Sequence, residues 1–295
     1  MKLLLTGANG FLGFYLSNIL LNNGHQLLAT GRGDCRLPFI NRPGFSYAPM
    51  EVTDPAQIKT VVSFFKPDYI IHAAAIGKPD DCELNKELAS QINTEGTFHL
   101  LAAAKEVGSH FCYISTDFVF DGVAGNYTEN AHRQPVNHYG QTKLDAELLV
   151  EQFAGNWSIV RTVLVYGKPM TGRENLLSIV KSKLSNGEPY HVVDDQIRTP
   201  TYVGDLAEGI LRIVTQNVSG VFHLCGEEVL TPYAMAFRAA NYLQLDTNLL
   251  IKTSSAHFVQ PAKRPMVTGL SIERAKSVLG FTPVSFERGL ELTFD

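Results

Sequence analysis

Residues 2–16 read KLLLTGANGFLGFYL, and this stretch decides the fold. The apolar run Lys2–Thr6 predicts a buried strand, and apolar residues from Phe11 onward recur at helical spacing. The glycines between them would permit a tight turn, a close approach of backbone N–H groups to a pyrophosphate, and close helix packing. The start of the helix would add further donors for phosphates. We therefore predict a dinucleotide-binding turn, and its residues are Gly7, Asn9, Gly10, Phe11, Leu12 and Gly13. The alternative is a glycine turn with a purely structural role.

Short apolar segments then alternate with helical patterns. Predicted strands cover 25–30, 69–72, 111–115, 158–161 and 220–224, and predicted helices cover 54–65, 88–107, 138–153 and 205–216. Such apolar strands separated by helices indicate a parallel sheet covered on both faces. The predicted fold class is α/β, a Rossmann-type doubly wound parallel sheet with a smaller, discontinuous C-terminal substrate lobe. We assign residues 1–163 and 202–223 to the dinucleotide-binding domain, and residues 164–201 and 224–295 to the substrate-binding lobe.

Composition excludes several classes of protein. The chain has 295 residues and a net charge of −4, without the Lys/Arg-rich run that a nucleic-acid surface would need. The apolar start is too short for an export signal, and no stretch approaches the ~20 apolar residues of a membrane span. The four cysteines form no Cys-x-x-Cys pair, and we predict that they are reduced, buried thiols of a cytoplasmic protein. No metal site is predicted.

The second strand and its successors suggest how a dinucleotide would be held. After Gly31 no carboxylate appears before Asp34, so Arg32 is placed to bind a 2′-phosphate and favour NADPH, with NADH as the alternative cofactor. The alternative for Arg32 is a solvated surface side chain. The remaining predicted cofactor contacts lie after two further strands. Glu51 and Val52 follow a third strand that ends just before them, and Ala73, Ala74 and Ala75 follow the strand 69–72.

A tyrosine and a lysine predict carbonyl chemistry. Tyr139 and Lys143 lie one helical turn apart on the same face, and Thr116 lies 23 residues earlier at a strand end. A tyrosine hydroxyl can protonate a forming alkoxide, but its ordinary pKa of ~10 is high for work near neutrality. A nearby ammonium lowers that pKa, and a lysine can also hold a nicotinamide ribose. Thr116 can hydrogen-bond the substrate oxygen as charge develops on it.

With these motifs in place, the chain resembles the extended short-chain dehydrogenase/reductases, and more narrowly the dTDP-4-dehydrorhamnose reductases. The resemblance spans most of residues 1–225, and its most specific signature is STDFVFDG at 115–122. It implies a catalytic set of Thr116, Tyr139 and Lys143, with Tyr139 and Lys143 also contacting the cofactor. It further implies that Asn93, which we group with the cofactor-binding residues, supports the active site. The residues that it places near the sugar are Asp117, Phe118, Val119 and Leu164, where Leu164 replaces a family tryptophan.

The resemblance implies NAD(P)H-dependent reduction of a nucleotide-linked 4-keto-6-deoxy sugar, dTDP-4-dehydrorhamnose to dTDP-L-rhamnose, by an enzyme that could form a homodimer. Two alternatives stay open. One is an NADP-binding regulatory subunit resembling the methionine adenosyltransferase β subunit, whose loop after the alanines is closer to the one at 76–81. The other is a nucleotide-sugar epimerase. A dehydratase is disfavoured, because Thr116 is followed by Asp117-Phe118 rather than by an Asp-Glu pair.

Overall fold

The computed structural model describes residues 1–171, 174–258 and 260–295. The strands are β1 Lys2–Thr6, β2 Gln26–Gly31, β3 Phe45–Pro49, β4 Tyr69–His72, β5 His110–Thr116, β6 Trp157–Thr162, β7 Val165–Tyr166, β8 Tyr190–Val193, β9 Thr201–Tyr202, β10 Gly220–His223 and β11 Leu250–Thr253. The helices are α1 Phe11–Asn22, α2 Pro55–Phe65, α3 Pro79–Leu84, α4 Lys86–Ser90, α5 Gly96–Val107, α6 His138–Glu151, α7 Leu176–Ser185, α8 Val203–Gln216, α9 Pro232–Tyr242, α10 Glu273–Leu279 and α11 Phe286–Phe294.

Seven strands form one parallel sheet in the order β3-β2-β1-β4-β5-β6-β10. The first six follow the Rossmann order, so the predicted doubly wound fold is confirmed. Leu3, Leu4 and Leu5 of β1 are fully buried, because helices cover both faces of the sheet and every side chain of a central strand is inside. The strand order reverses between β1 and β4, and ligands of such sheets bind at the carboxyl ends of the strands at this point.

The predicted helix over 88–107 begins earlier and is interrupted. A single π-helical turn, Gln91–Glu95, separates α4 from α5. The apolar spacing of the sequence does not reveal this one extra residue. The π turn carries Asn93, whose side chain is 1% exposed and bonds to two other segments. Such turns occur frequently at functional sites, and this one contributes to the site described below.

Several elements after β6 build two smaller apolar clusters, and they are β7, α7, β8, α9, β11 and α11. Two short parallel sheets, β7 with β9 and β8 with β11, connect distant parts of this region. Strands β8 and β11 were not predicted, because each is only four residues long and its pairing partner is distant in the sequence. The larger of the two clusters joins β7, α7, α9 and α11 through buried residues that include Tyr166, Leu177, Met235, Phe286 and Leu290.

The cysteines are four free thiols, as predicted, of which Cys82, Cys112 and Cys225 are buried. Cys35 departs from the prediction of burial, since it lies in a surface loop and is only partly covered. In the part of the chain that the structure describes, no helix is both long and apolar enough to cross a membrane.

Candidate active site

The three glycines after β1 are required by close backbone contacts. A Cβ atom on Gly7 would lie 2.8 Å from the Ala73 carbonyl carbon, and one on Gly13 would lie 2.4 Å from the Ala8 carbonyl oxygen. Gly7 also has a positive φ of 69°, a conformation that glycine adopts without strain. Gly10 is the N-cap of α1 and has no side chain to bond the first N–H groups of the helix. These groups point to the site where an anion would bind.

A cavity of about 200 Å³ opens beside this turn, at the carboxyl ends of β1, β2 and β4. Most of the predicted cofactor-binding residues line it, namely Gly7, Asn9, Gly10, Arg32, Glu51, Val52, Ala73, Ala74 and Ala75. Gly13 packs on the Ala8 backbone, and Leu12 packs against the main core. The cavity therefore has the backbone donors, the small side chains and the basic rim that a dinucleotide requires.

Asn9 organises the loop after β2 and brings in an arginine that sequence reasoning missed. Its Oδ1 accepts from the Arg36 backbone N–H at 2.9 Å, and its Nδ2 donates to the Asp34 carbonyl at 3.0 Å. The Arg36 guanidinium donates to the Asn9 carbonyl at 3.4 Å and lines the same cavity as Arg32. A second basic residue four positions after Arg32 was the available signal, but only the folded loop shows that both arginines face one cavity.

We expect Arg32→Ala to lose NADPH affinity selectively, by ~1.5–3 kcal/mol, because it removes a charge-assisted contact to the 2′-phosphate. Arg36→Ala should show the same selective loss of NADPH affinity. Fluorescence titration of both cofactors against each variant measures the effect. Arg42→Ala is the matched control, because Arg42 bonds Asn18 and Asn22 on α1 and lies outside the cavity lining. Equal losses of NADPH and NADH affinity would show that these arginines do not bind the phosphate.

A second cavity, of about 450 Å³, collects the predicted catalytic threonine and tyrosine. Thr116 is the last residue of β5, and Tyr139 lies in the first turn of α6, whose N-cap Asn137 accepts from the Gly140 N–H at 2.8 Å. A Cβ on Gly140 would lie 2.1 Å from the Phe118 carbonyl oxygen, so glycine is needed for α6 to approach the end of β5. The Phe118 and Tyr139 rings pack edge to face with centroids 5.7 Å apart. Both cavities therefore form at the carboxyl edge of the sheet.

Lys143 lies one turn further along α6 and is 3% exposed. Its Nζ donates to the Ile114 carbonyl at 2.7 Å and stands 4.1 Å from the centre of the Tyr113 ring. Burial lowers the pKa of Lys143 to about 7, although the carboxylate of Glu147 favours the charged form. The Lys143 side chain is therefore held at a fixed place between α6, the helix that carries Tyr139, and β5.

Thr116 and Asp117 form a connected pair at the cavity wall. The Thr116 hydroxyl donates to Asp117 Oδ1 at 3.0 Å and accepts from the Phe118 N–H at 3.3 Å. Asp117 is 2% exposed, and burial raises its pKa while the positive charge of Arg198 acts in the opposite direction. Asp117 thus contacts the predicted catalytic threonine directly, and it also lines the cavity in which it was predicted to contact the sugar.

The other predicted substrate residues fall in different surroundings. Phe118 and Leu164 line the cavity, and Leu164 is 37% exposed with a φ of 34° that is unusual for a residue with a side chain. Val119 is fully buried in the main core, because the turn Asp117–Val119 directs its side chain away from the cavity. Its predicted sugar contact is not supported by this placement.

Six predicted cofactor residues lie outside the lining of the first cavity: Leu12 and Gly13 in α1, Tyr139 and Lys143 on α6, and Phe11 and Asn93. Phe11 lines the second cavity. Asn93 bonds the Ile76 N–H at 2.8 Å through Oδ1 and the Thr142 hydroxyl at 3.0 Å through Nδ2. Asn93 therefore ties the loop after β4 to α6, and its role in supporting the active site stays a prediction.

Several cavity residues were not predicted. They come from segments that meet only in the folded chain, and they include Thr162, Tyr166, Glu174, Asn175, Ile179 and Met235. Most of these additional cavity residues have aromatic or aliphatic side chains, and Glu174 and Asn175 add polar groups. The sequence offers no local signal for α7 and α9 as cavity walls, since their cavity-facing residues read as ordinary apolar helix positions.

Comparisons with known proteins agree with this site. A family model described as the RmlD substrate binding domain matches residues 1–295. Methionine adenosyltransferase 2 subunit beta of Xenopus tropicalis is 31% identical over 84% of this chain and 74% of its own length. The dTDP-4-dehydrorhamnose reductase of Mycobacterium tuberculosis is 30% identical over 96% of this chain and 88% of its own length. The crystal structure of dTDP-4-dehydrorhamnose reductase from Bacillus anthracis in complex with NADP is 29% identical, covers 99% of this chain and 98% of its own, and superposes with a TM-score of 0.85.

Proposed function

The chain belongs to the RmlD substrate binding domain family over its whole length, and on that premise we propose that it is an NAD(P)H-dependent reductase of a nucleotide-linked 4-keto-6-deoxy sugar. The substrate that fits best is dTDP-4-dehydrorhamnose, reduced to dTDP-L-rhamnose, as the names of relatives suggest. The observation that carries the proposal is the meeting of two cavities. Gly10 and Ile76 line the dinucleotide cavity, and their neighbours Phe11 and Gly77 line the cavity that holds Thr116 and Tyr139.

The side chains of this chain divide the work of reduction. Bound NADPH supplies the hydride. Tyr139 donates the proton to the oxygen of the reduced carbonyl, and Thr116 hydrogen-bonds that oxygen as negative charge develops. Lys143 favours the resulting phenolate through its charge. Apolar side chains of α7 and α9, including Leu176, Ile179 and Met235, line the same cavity and make the surroundings of the reacting carbonyl less polar.

The charge of Lys143 should make reduction depend on pH. The ammonium is the form that stabilises the Tyr139 phenolate, and burial lowers its pKa to about 7. The charged form therefore dominates below that pH and is lost as pH rises through it. We expect kcat for reduction to decline as pH rises through about 7, measured as a profile under saturating cofactor. A kcat that stays constant across neutral and mildly alkaline pH would contradict this role of Lys143.

The regulatory alternative has one observation in its favour, which is the similarity to methionine adenosyltransferase 2 subunit beta. The intact set of Thr116, Tyr139 and Lys143 supports the enzyme instead, because a protein retained only for binding has no chemical need for a proton donor. NADPH oxidation by the isolated protein separates the two functions. An epimerase shares the fold, and it would return its cofactor to the starting state without net NADPH consumption.

Leu164 should broaden the choice of sugar. It stands in the cavity wall where the resemblance places a tryptophan, and it offers a smaller and less rigid surface. We expect weak discrimination among related 4-keto sugars, and we expect Leu164→Trp to sharpen it by ~1–3 kcal/mol, the usual range for a change in an apolar pocket. Ratios of kcat/KM for dTDP-4-dehydrorhamnose and two analogues measure the effect. An exclusive preference of the wild type for one sugar would contradict this expectation.

We propose the same division of the chain as above, with residues 1–163 and 202–223 binding the dinucleotide and residues 164–201 and 224–295 forming the substrate lobe. The free cysteines support a cytoplasmic location. Helices α3, α4, α5 and α6 are neighbours in the fold, and each exposes an apolar side chain. These side chains, which support a homodimer, are Leu84, Leu88, Phe98 and Leu148. Light scattering of the purified protein measures its mass.

A further inference from the structure

The catalytic hydroxyl of Thr116 is connected to the C-terminal part of the chain through one buried carboxylate. Thr116 donates to Oδ1 of Asp117 at 3.0 Å, and the Thr268 hydroxyl donates to Oδ2 of the same carboxylate. Thr268 is fully buried, and Asp117 is 2% exposed. The two threonines lie 152 positions apart in the sequence, yet each satisfies one oxygen of Asp117.

Arg198 holds the segment 265–268 in place beside Asp117. Its guanidinium donates to the carbonyls of Pro265 at 2.7 Å and Met266 at 3.0 Å. The Thr268 backbone N–H donates to the Ile197 carbonyl at 3.0 Å. Arg198 is itself 3% exposed, so these contacts are shielded from water and fix the Thr268 hydroxyl on Asp117.

Catalysis places two demands on the single proton of the Thr116 hydroxyl. The Thr116 O–H is directed at Asp117, whereas a hydrogen bond to a substrate oxygen requires the O–H to turn toward the cavity. When it turns, Asp117 loses one donor and keeps the bond from Thr268. Without Thr268 the buried carboxylate would be left without either hydroxyl, a costly state that would keep Thr116 bound to Asp117.

On the basis of the function proposed above, we propose that Thr268 is a positioning residue, which acts through Asp117 to release the Thr116 hydroxyl toward the substrate oxygen. Thr268 then contributes to turnover without touching the substrate. The proposal also explains why Asp117, a buried carboxylate at the cavity wall, directly follows strand β5. Its second oxygen connects the reacting centre to the segment after residue 260.

Thr268→Val tests the proposal, because it keeps the shape of the side chain and removes only the hydroxyl. We expect kcat to fall about 10-fold or more, since small losses of orientation at a reacting centre are costly. The affinity for NADPH should stay within about twofold of wild type, and Thr268→Ser should restore most of kcat, as expected for an effect confined to the transition state. Thr199→Val is the matched control. Thr199 is also buried, and its hydroxyl bonds Cys225 and the Leu270 N–H rather than Asp117.

Crystal structures of wild type and Thr268→Val provide a readout that does not depend on turnover. With NADP and the reduced sugar bound, we expect the Thr116 hydroxyl to turn toward the sugar oxygen in the wild type and to stay within hydrogen-bond distance of Asp117 in the variant. The same orientation of the Thr116 hydroxyl in both structures would overturn the proposal, as would an equal fall of kcat in Thr199→Val or no rescue by serine. A wild type without reductase activity would overturn the proposed function instead, and the two crystal structures would still decide the role of Thr268.

Discussion

Replacing Tyr139 with phenylalanine is expected to lower kcat by at least about 100-fold, the lower end of what general acid catalysis contributes. The substitution removes the proton that is transferred and keeps the ring, which packs edge to face on Phe118. Binding of NADPH should therefore survive. Lys143 should remain on the Ile114 carbonyl, because that contact does not involve the phenol. Steady-state kinetics and cofactor titration by fluorescence measure the two effects separately.

Tyr15→Phe is the matched control for this loss. Its hydroxyl donates to the Lys168 carbonyl at 2.8 Å, and Tyr15 lies outside the lining of the catalytic cavity. We expect this control to keep its kcat. If Tyr139→Phe also kept kcat within about threefold of wild type, Tyr139 would not be the general acid.

Glu147→Gln is expected to destabilise the fold by ~3–5 kcal/mol, because it leaves a buried arginine without its counter-charge. Glu147 is fully buried and accepts from Arg161 at 2.9 and 2.7 Å, from Arg133 at 2.9 Å and from Ser115 at 2.5 Å. Arg161 is 1% exposed, so water cannot replace the lost charge. The Glu147–Arg161 pair joins α6 to β6, and the Ser115 bond joins α6 to β5. Loss of the Glu147 charge therefore affects the helix that carries Tyr139 and Lys143.

Chemical denaturation of wild type and variant measures this change in the free energy of unfolding. Glu151→Gln is the control, since Glu151 pairs with the same Arg133 but is 28% exposed. Exposed pairs contribute about 0–1 kcal/mol, so this control should be nearly neutral. A loss below ~1 kcal/mol for Glu147→Gln would show that Arg161 finds other compensation in the fold.

The parts of the fold that could be predicted are those set by local sequence. The strand, glycine turn and helix over residues 2–22 follow from apolar periodicity and from backbone positions that only glycine can occupy. Tyr139 and Lys143 follow from helical spacing together with their place in the chain after the glycine turn, the alanine run and Thr116 at a strand end. Each of these motifs is contained within a few turns of the chain.

The parts that could not be predicted depend on contacts between distant segments. Arg36 reaches the dinucleotide cavity because Asn9, 27 positions earlier, holds its loop. Thr268 meets Asp117 only when the C-terminal segment packs against the short helical turn after β5. Val119 was expected near the sugar, but the direction of its side chain is set by a short helical turn after β5, which alternation along the strand does not reveal.

The most direct test of the central claim is NADPH oxidation by the purified wild-type protein across a set of nucleotide-linked 4-keto-6-deoxy sugars. The proposed function predicts oxidation of NADPH with dTDP-4-dehydrorhamnose, in equal amount to the reduced sugar that is formed. A protein that binds NADPH tightly and oxidises it with none of these sugars would contradict the assignment as a reductase and would favour the regulatory alternative.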